Sequence, residues 1–431
     1  MSNKRSPLIF IFLTVFIDLL GVGIVVPLLP YYVKIIEQAD ASWLSSNRAL
    51  LVGALAASFS LFQFVFSPVL GALSDRFGRR PVLLISLAGT GISYIVFGLA
   101  DQLLPLGIGT VLAVLFFARI LDGITGGNIS TAQAYIADIT APEDRAKSLG
   151  LIGAAFGLGF MLGPAIGGLL STISLSTPAF AAAALTFGNV IFGFFRLPES
   201  LPVERRTNVP FRKMNPVTRL RAVVGKTSIR PLLAGVLLLN FAFAGLQNNF
   251  AVFSDVRFGF GPTENAFVFA FIGLMAVLMQ GFLIRKLLPI FGEARLAVTG
   301  LGMMVVGFAM IAVAPAAWVL YPALGVLASG SGMATPSLTS LISRRVAPQE
   351  QGSTLGGVQA FNSLMMVAGP LFAGLIFDLI GPAAPYFSGA MLIAAAGLVI
   401  SAAVRPELGG AAPLEPARTG VSMDAEQHMA H

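Results

Sequence analysis

The stretch FFARILDGITGGNIST, residues 116–131, places two charged residues, Arg119 and Asp122, inside an otherwise apolar run. Moving a charge into the hydrocarbon of a bilayer costs about 2.5–3.5 kcal/mol on insertion scales, so charges inside membrane segments are rare and usually functional. The two residues are three apart, which puts them on one face of a helix and allows an ion pair between them. The stretch therefore predicts a membrane helix that carries a functional charged pair.

The composition of the whole chain predicts an all-α membrane protein. Of its 431 residues, 56% are hydrophobic and 11% are charged, whereas roughly a quarter of the residues are charged in a soluble domain. A helix needs about 20 apolar residues to cross a bilayer. The apolar runs predict twelve transmembrane helices, at residues 8–33, 49–73, 81–100, 109–137, 147–171, 178–197, 230–253, 263–287, 294–313, 318–342, 352–377 and 382–404.

Residue types that catalysis and metal binding use are scarce. The chain has no cysteine, and its two histidines, His428 and His431, are among the last four residues. Disulfides, thiolate ligands and cysteine nucleophiles are therefore excluded. No nucleophile–base or metal-binding set remains in the body of the chain, so we expect no enzyme activity, no metal and no resident cofactor.

The net charge of +7 reflects how the chain is placed in the membrane. An even number of spans puts both termini on one side, and 23 of the 27 Lys and Arg residues fall on that side; the opposite side keeps Lys34, Arg48 and Arg257. Cytoplasmic loops carry such an excess of basic residues. We therefore expect cytoplasmic termini in a multi-pass protein of a bacterial-type inner membrane. The expected partner of the basic residues is the lipid bilayer, not nucleic acid.

An internal repeat divides the chain into two halves. The segment APEDRAKSLG at 141–150 recurs as APQEQGSTLG at 347–356, an offset of 206 residues, and Gly163-Pro164 recurs at the same offset. In transporters built from such repeats the substrate binds near the bilayer midplane, between the halves. The predicted parts are a six-helix bundle, a basic cytoplasmic linker, a second pseudo-symmetric six-helix bundle and a disordered tail, at residues 1–197, 198–229, 230–404 and 405–431 respectively.

Four motifs carry a resemblance to the major facilitator superfamily. The loop GALSDRFGRR, residues 71–80, resembles that family's signature between helices two and three, and residues 157–168 resemble the fifth-helix motif of its antiporters. Asp18 with Gly21 and Pro27 resembles the family's first-helix motif, and Arg119 with Gly123 resembles its fourth-helix motif. Among subfamilies, the chain looks most like the tetracycline-resistance group of twelve-helix drug:proton antiporters.

The resemblance implies a cytoplasmic gate in the loop after the second span. In that family the loop aspartate caps a helix of the second half, so Asp75 is expected at the helix that begins near Ser353. Asp138 is a candidate partner for Arg79, and a simple positive-inside anchor is the alternative. The corresponding loop of the second half, 281–295, has no such aspartate, which predicts an asymmetric gate. The gate candidates are Gly71, Asp75, Arg76, Gly78, Arg79, Arg80 and Asp138.

The fifth span is rich in small residues at intervals of four. Such pairs let helix backbones approach closely, and packing alone would explain them. Pro164 adds a kink, which favours a role in closing the periplasmic side. The residues of this antiporter motif are Gly153, Gly157, Gly163, Pro164 and Gly167.

Asp18 and Arg119 are predicted to lie near the midplane, because each is about ten residues, or roughly 15 Å, from an opposite end of its span. A structural ion pair between the first and fourth helices is one interpretation. However, two acids, Asp18 and Asp122, facing one arginine leave a spare carboxylate that can carry a proton. We therefore assign Asp18, Arg119 and Asp122 to proton coupling and substrate binding.

The second half offers neutral polar side chains within its spans. Each would ordinarily bond a neighbouring helix, but as a set they suggest an aromatic cavity for amphipathic ligands; they are Asn240, Gln247, Asn248, Asn249, Gln280, Gln359 and Asn362. The tetracycline exporters that the chain resembles carry further intramembrane acids in helices three and nine. Residues 81–100 and 294–313 have none, and Asp122 is extra, so the substrate and the proton stoichiometry stay open.

The expected protein is a monomeric, proton-coupled secondary transporter that exports small amphipathic drugs by alternating access. A proton-coupled or cation-coupled importer and a lipid or metabolite exporter would share the fold. A non-transporting receptor or scaffold is the alternative from another class. It would not need charges at the midplane, and it would be expected to carry a large soluble domain.

Overall fold

The computed structural model describes residues 5–39, 46–140, 145–207, 220, 223–347 and 350–408. Within these residues the regular structure is helical throughout, without strands, which confirms the all-α prediction. The α-helices there, numbered in chain order, are α1 Arg5–Val25, α2 Leu29–Ala39, α3 Arg48–Phe77, α4 Arg79–Gly98, α5 Ile108–Thr125, α6 Asn128–Ile139, α7 Arg145–Leu170, α8 Thr177–Arg196, α9 Arg230–Phe258, α10 Pro262–Val277, α11 Ile284–Val313, α12 Leu320–Arg344, α13 Gln351–Ile380, α14 Ala384–Ala403 and α15 Arg405–Leu408.

Ten ranges of the described residues are long and apolar enough to cross a membrane: Leu8–Ile36, Arg48–Phe77, Arg79–Gly98, Ile108–Ile139, Thr177–Arg196, Thr227–Phe258, Pro262–Val313, Ala317–Arg344, Thr354–Ile380 and Ala384–Ala403. The longest of them has 52 residues and contains a non-helical residue, Gly292, with φ 74° and ψ 165°. Helix α7 contributes a shorter apolar segment, Gly157–Leu170. The chain is thus a multi-pass helical membrane protein, while the number twelve and the cytoplasmic termini stay predictions.

Two predicted spans are interrupted. Pro27 lies in a 3₁₀ turn, Val26–Leu28, between α1 and α2. The fourth span, expected as one helix, breaks because Gly126 and Gly127 separate α5 from α6; each glycine disfavours a helix interior by about 1 kcal/mol relative to alanine. The side-chain amide of Gln63 donates to the carbonyl oxygen of Gly126 at 3.0 Å. That bond satisfies a backbone group that the break would otherwise leave without a helical partner.

The helix ends form two groups, because successive spans run in opposite directions. The basic end holds the α3–α4 loop, the end of α8 and the start of α9, where Arg79, Arg196 and Arg230 lie. The far end holds the α2–α3, α9–α10 and α13–α14 connections.

Helix α1 packs against α7 through the predicted glycines. A Cβ atom on Gly163 would lie 2.6 Å from the Cα of Gly23, and one on Gly167 would lie 2.8 Å from the carbonyl oxygen of Ile24. The predicted close packing is therefore present at these positions, and Pro164 is buried beside them. Gly157, by contrast, has none of the described residues within 4 Å of a Cβ position, so its part in this packing stays a prediction. The surroundings of Gly153 lie outside the described residues.

The N-terminal helices α1–α8 and the C-terminal helices α9–α14 meet at the far end. On α3, eight of the ten residues from Arg48 to Ala57 are buried, whereas none from Ser58 to Gly71 is. On α13, Gly369 and Pro370 are buried and no residue at 359–368 is, whereas Thr354, Gly357 and Val358 near its start are buried again. The middle parts of α3 and α13 are therefore less buried than their far-end parts, which indicates that the two groups of helices diverge away from the far end.

Candidate functional site

A cluster of buried polar side chains lies deep among the N-terminal helices. We call it the central cluster; its members are Asp18 on α1, Tyr94 on α4, Arg119 and Asp122 on α5, and Asn128 on α6. Each is at most 5% exposed. Four helices contribute to it, so the cluster depends on how these helices are packed.

The pair predicted from the spacing of Arg119 and Asp122 is present. The Nη1 atom of Arg119 donates to Oδ2 of Asp122 at 2.8 Å. The guanidinium also lies over the ring of Phe59 on α3, 4.5 Å from its centroid, a cation–π contact. Gly123 makes this approach possible, because a Cβ there would overlap the carbonyl oxygen of Phe59. The glycine of the fourth-helix motif thus positions the arginine.

The hydrogen bond of Asp18 comes from a residue that the sequence analysis did not select. Asn128 Nδ2 donates to Oδ2 of Asp18 at 3.1 Å, whereas Asp18 was expected opposite Arg119. Asn128 is the first residue of α6, directly after the two glycines. The Gly-Gly pair inside an apolar span was the available signal, because a helix break there turns the next polar side chain into the core.

Four polar atoms of the central cluster have no hydrogen-bond partner among the described residues: Asp18 Oδ1, Tyr94 OH, Arg119 Nε and Asp122 Oδ1. A buried polar group in that condition costs about 1–3 kcal/mol, so stability does not explain their convergence. Tyr94 lies beside α1 one turn from Asp18, since a Cβ on Gly21 would be 3.2 Å from the Tyr94 hydroxyl. The cluster holds two carboxylates, Asp18 and Asp122, and one guanidinium, so its charge is −1 when all three are ionised. It can therefore accept one proton or one cationic group.

The polar candidates of the second half separate into two kinds. Asn240 and Asn248 donate to carbonyl oxygens of their own helix, at 2.8 and 3.0 Å. Asn249 is buried and donates to the carbonyl oxygen of Ala373 at 3.2 Å, which joins α9 to α13. Asn240, Asn248 and Asn249 therefore bond helix backbones, which is the alternative to lining a cavity. Gln247 and Asn362 are half-buried, and Gln280 and Gln359 are exposed. A shared binding cavity stays a prediction.

The gate candidates at the basic end form a network within the N-terminal helices. Nη1 of Arg79 lies 2.6 Å from Oδ1 of Asp75, and its Nε lies 3.1 Å from Oδ2 of Asp138. The predicted contact between Arg79 and Asp138 is therefore present. Arg76 is exposed and Gly71 is half-buried. The expected capping of α13 by Asp75 stays a prediction, because the side chain of Ser353 lies outside the described residues.

Glu199, which the sequence analysis did not select, completes this loop network. Its two carboxylate oxygens accept the backbone N–H groups of Arg79 and Arg80, at 2.9 and 3.3 Å, so it caps the first turn of α4. Gly78 lets the chain turn there with φ 106°, and a Cβ at this position would overlap the Glu199 carboxylate. Arg80 also donates to the carbonyl oxygen of Phe194. The loop network thus joins the α3–α4 loop to α6 and to the end of α8.

A second charged group, at the far end, joins the two groups of helices. Lys34 Nζ lies 2.5 Å from Oδ1 of Asp255, and Arg48 Nη1 lies 2.6 Å from Oδ2. We call these three residues the far-end ion cluster. Nearby, Asn265 Nδ2 donates to the hydroxyl of Tyr31 at 2.5 Å. Lys34 and Arg48 were expected on the side opposite the basic excess, but their shared partner was not predicted, because Asp255 follows the predicted end of the seventh span.

Metal binding would need several ligand side chains in one place. Within the part of the chain that the structure describes, no group of three His, Cys, Asp or Glu residues could hold a metal ion. The expectation of no resident metal or cofactor stays a prediction.

Apolar helices, a half-chain repeat and a buried charged cluster in the first and fourth spans define a class, the helical membrane transporters. The family model for the Major Facilitator Superfamily matches residues 11–355 and 282–423. The chain belongs to the major facilitator superfamily, as its four motifs predicted.

Its relatives include proteins of drug resistance. Tetracycline resistance protein, class C, of Escherichia coli is 37% identical over 375 residues, which are 87% of this chain and 90% of that protein. Multidrug resistance protein 2 of Bacillus subtilis is 28% identical over 414 residues, 93% of this chain and 96% of that protein. The crystal structure of the human organic anion transporter MFSD10 (TETRAN) superposes with a TM-score of 0.70 at 28% identity, over 93% of this chain and 100% of that one.

Proposed function

We propose that this chain is a proton-coupled exporter of small amphipathic compounds, working by alternating access as a monomer in a bacterial-type inner membrane. The proposal includes twelve transmembrane helices in two bundles, with both termini cytoplasmic and no resident cofactor. The observation that carries it is the central cluster, in which one buried carboxylate pairs with Arg119, a second accepts from Asn128, and each keeps one buried oxygen without a partner among the described residues. Similarity to tetracycline and multidrug resistance proteins supports a drug as the exported compound.

In the proposed cycle the basic end is cytoplasmic, because it carries the basic excess. The structure, joined at the far end, then corresponds to the state open to the cytoplasm. A proton enters from the periplasm onto Asp18 or Asp122 when the far end opens. Protonation weakens the hold of the acids on Arg119 and Asn128, which favours opening toward the cytoplasm, where substrate replaces the proton.

The electrochemical gradient supplies the energy for this exchange. A membrane potential provides about 2.3 kcal/mol per elementary charge per 100 mV, and the pH difference adds to it. Because the central cluster is buried among N-terminal helices, a change in its charge alters how those helices pack. This links protonation to the conformation of the bundle rather than to one side chain alone.

The direct test measures transport in proteoliposomes with an imposed pH gradient, using ethidium and tetracycline as separate probes. We expect Asp18→Asn to reduce the rate of pH-driven transport at least about tenfold, since the amide cannot carry the proton. Glu264→Gln is the matched control. Its carboxylate lies at the far end and accepts the N–H of Gly261, the residue just before its own helix, so coupled transport should be unchanged.

Each other outcome has a defined meaning. Undiminished pH-driven transport by Asp18→Asn would overturn the assignment of Asp18. Probe movement in the same direction as the protons would overturn export in favour of import. Normal transport by Asp122→Ser would reduce Asp122 to a packing role.

A further inference from the structure

Two helices from different halves end in the same four-residue pattern, Asp-x-x-Gly. Helix α3 ends at Asp75-Arg-Phe-Gly78 and α13 ends at Asp378-Leu-Ile-Gly381. Both glycines have positive φ, 106° and 136°, the region that favours glycine at helix ends. Helix α3 runs from the far end to the basic end, and α13 runs the other way. The two patterns therefore lie at opposite ends of a pair of helices that pack together.

The pattern at the far end makes a contact between the halves. Asp378 Oδ1 accepts the backbone N–H of Ala49 at 3.2 Å, and its Oδ2 accepts the N–H of Leu50 at 2.8 Å. These N–H groups belong to the first turn of α3, where no carbonyl of the same helix is available to them. A carboxylate at this position is also favoured by the helix dipole. Asp378 therefore caps a helix of the other half.

Close packing and charge reinforce the cap. A Cβ on Gly374 would lie 2.7 Å from the carbonyl carbon of Ala49, so glycine is needed for the two helices to approach at this turn. Arg48, the first residue of α3, reaches Asp255 on α9 at 2.6 Å. The start of α3 is thus held by carboxylates from two helices of the other half.

The pattern at the basic end is engaged differently. The Asp75 carboxylate pairs with Arg79, four residues on, and its backbone carbonyl accepts the N–H of Thr207 at 3.1 Å. Both partners belong to the N-terminal side of the chain. No residue at 58–71 of α3 or at 359–368 of α13 is buried, which indicates that the two helices diverge away from the far end.

We propose that Asp378 is a positioning residue of the transport cycle, which closes the far end by capping α3 and releases α3 when Asp75 caps α13 at the basic end. The two Asp-x-x-Gly ends would thus be used alternately, one in each conformation. The role of Asp378 goes beyond the proposed function and rests on it, because alternate use needs a protein that alternates. Asp378 does not touch the central cluster in this arrangement; it acts through the position of α3.

The test measures thiol accessibility at both ends. Because the chain has no cysteine, a single introduced cysteine is the only thiol that can be labelled. Ala266→Cys reports on the far end, because Ala266 is 6% exposed and faces Gly168 of the other half. Gly356→Cys reports on the basic end, where the position is exposed with nothing within 4 Å. The purified full-length protein is labelled with a hydrophilic maleimide in detergent, without substrate or proton gradient.

We expect Asp378→Ala to raise the labelling rate of the Ala266→Cys reporter about tenfold and to lower that of the Gly356→Cys reporter, since a shift toward the other state opens one end and closes the other. Asp378→Glu should restore both rates, and Glu264→Gln should change neither. Asp75→Asn should keep the far end protected and the basic end accessible.

Two results would overturn the proposal. Unchanged labelling at Ala266→Cys in Asp378→Ala would show that the cap does not hold the far end closed. Faster labelling of both reporters would show that Asp378 is needed for folding rather than for selecting a state. Because labelling uses no transport, opposite shifts in a protein that moves no ethidium or tetracycline would leave the role of Asp378 in place and count against the proposed function alone.

Discussion

The two ends of the molecule use charge in different ways. At the far end, Lys34 and Arg48 of the N-terminal helices meet Asp255 of the C-terminal helices. At the basic end, the ion pairs of Arg79 with Asp138 and of Arg344 with Glu293 each join helices of one half. The first kind of contact must break if the halves move relative to one another, and the second kind need not.

The basic-end pairs also show how the repeat has diverged. In the first half the arginine begins α4 and the acid ends α6, whereas in the second half Glu293 follows the corresponding glycine, Gly292, and Arg344 ends α12. The charges are exchanged, but the same two elements are joined. In each half the pair therefore holds two helices of that half together.

The largest expected effect comes from the far-end ion cluster. Asp255→Ala removes the carboxylate that Lys34 and Arg48 share; the Arg48–Asp255 pair is buried, and losing one partner of a buried ion pair costs about 3–5 kcal/mol. We expect a clear fall in the apparent melting temperature and faster labelling of the Ala266→Cys reporter.

The matched control for this effect removes all three charges together. Lys34→Met, Arg48→Met and Asp255→Leu in one chain should recover most of the lost stability, because a buried ion group can often be replaced by apolar residues at little cost. A triple variant as unstable as Asp255→Ala would show that the loss comes from packing rather than from unpaired charge.

A second prediction compares the two Asp-x-x-Gly ends. Alanine at Gly78 or Gly381 must adopt positive φ, which costs about 1–3 kcal/mol in such sparsely populated regions. Only Gly78 also faces the Glu199 carboxylate, while Gly381 has nothing within 4 Å. Gly78→Ala should therefore lower the melting temperature more than Gly381→Ala does. Equal losses in the two variants would argue that Glu199 is not held against the loop.

Much of the central cluster was predictable from sequence. Arg119 and Asp122 are neighbours on one helix, so a local rule predicts their pair. The depth of Asp18 follows from counting residues along its span. The close approach of α7 to α1 at Gly163 and Gly167 follows from the spacing of the glycines.

The partners from distant segments could not be predicted in the same way. Asn128, Glu199 and Asp255 each bond a residue more than a hundred positions away. Sequence periodicity gives the face of a helix and the depth of a residue, but it does not give the rotation of one helix against another. For Asn128 the helix break decides the direction of the side chain, and that break depends on the packing of α3 against the Gly-Gly pair.

A third prediction tests whether basic-end pairs hold one half together. Asp138→Asn should lower the melting temperature by an amount equivalent to about 1 kcal/mol or less, because the Asp138 side chain is 23% exposed and partly exposed pairs contribute little. The Ala266→Cys reporter should label at the wild-type rate. Faster labelling at the far end would contradict the assignment of this pair to the interior of one half.

The smallest expected effect concerns Asp101, an acid in the far-end turn after α4. Burial raises the pKa of its carboxyl above the usual value for aspartate, although Ser176 and backbone N–H groups oppose that shift. An acid whose pKa is raised by folding weakens the folded state once the pH exceeds the unfolded pKa, and the full penalty is present above the folded pKa. Asp101→Asn should therefore raise the melting temperature by about 1 °C at pH 7.5 and leave it unchanged near pH 4. An increase of the same size at both pH values would assign the effect to the amide's hydrogen bonds and not to the charge.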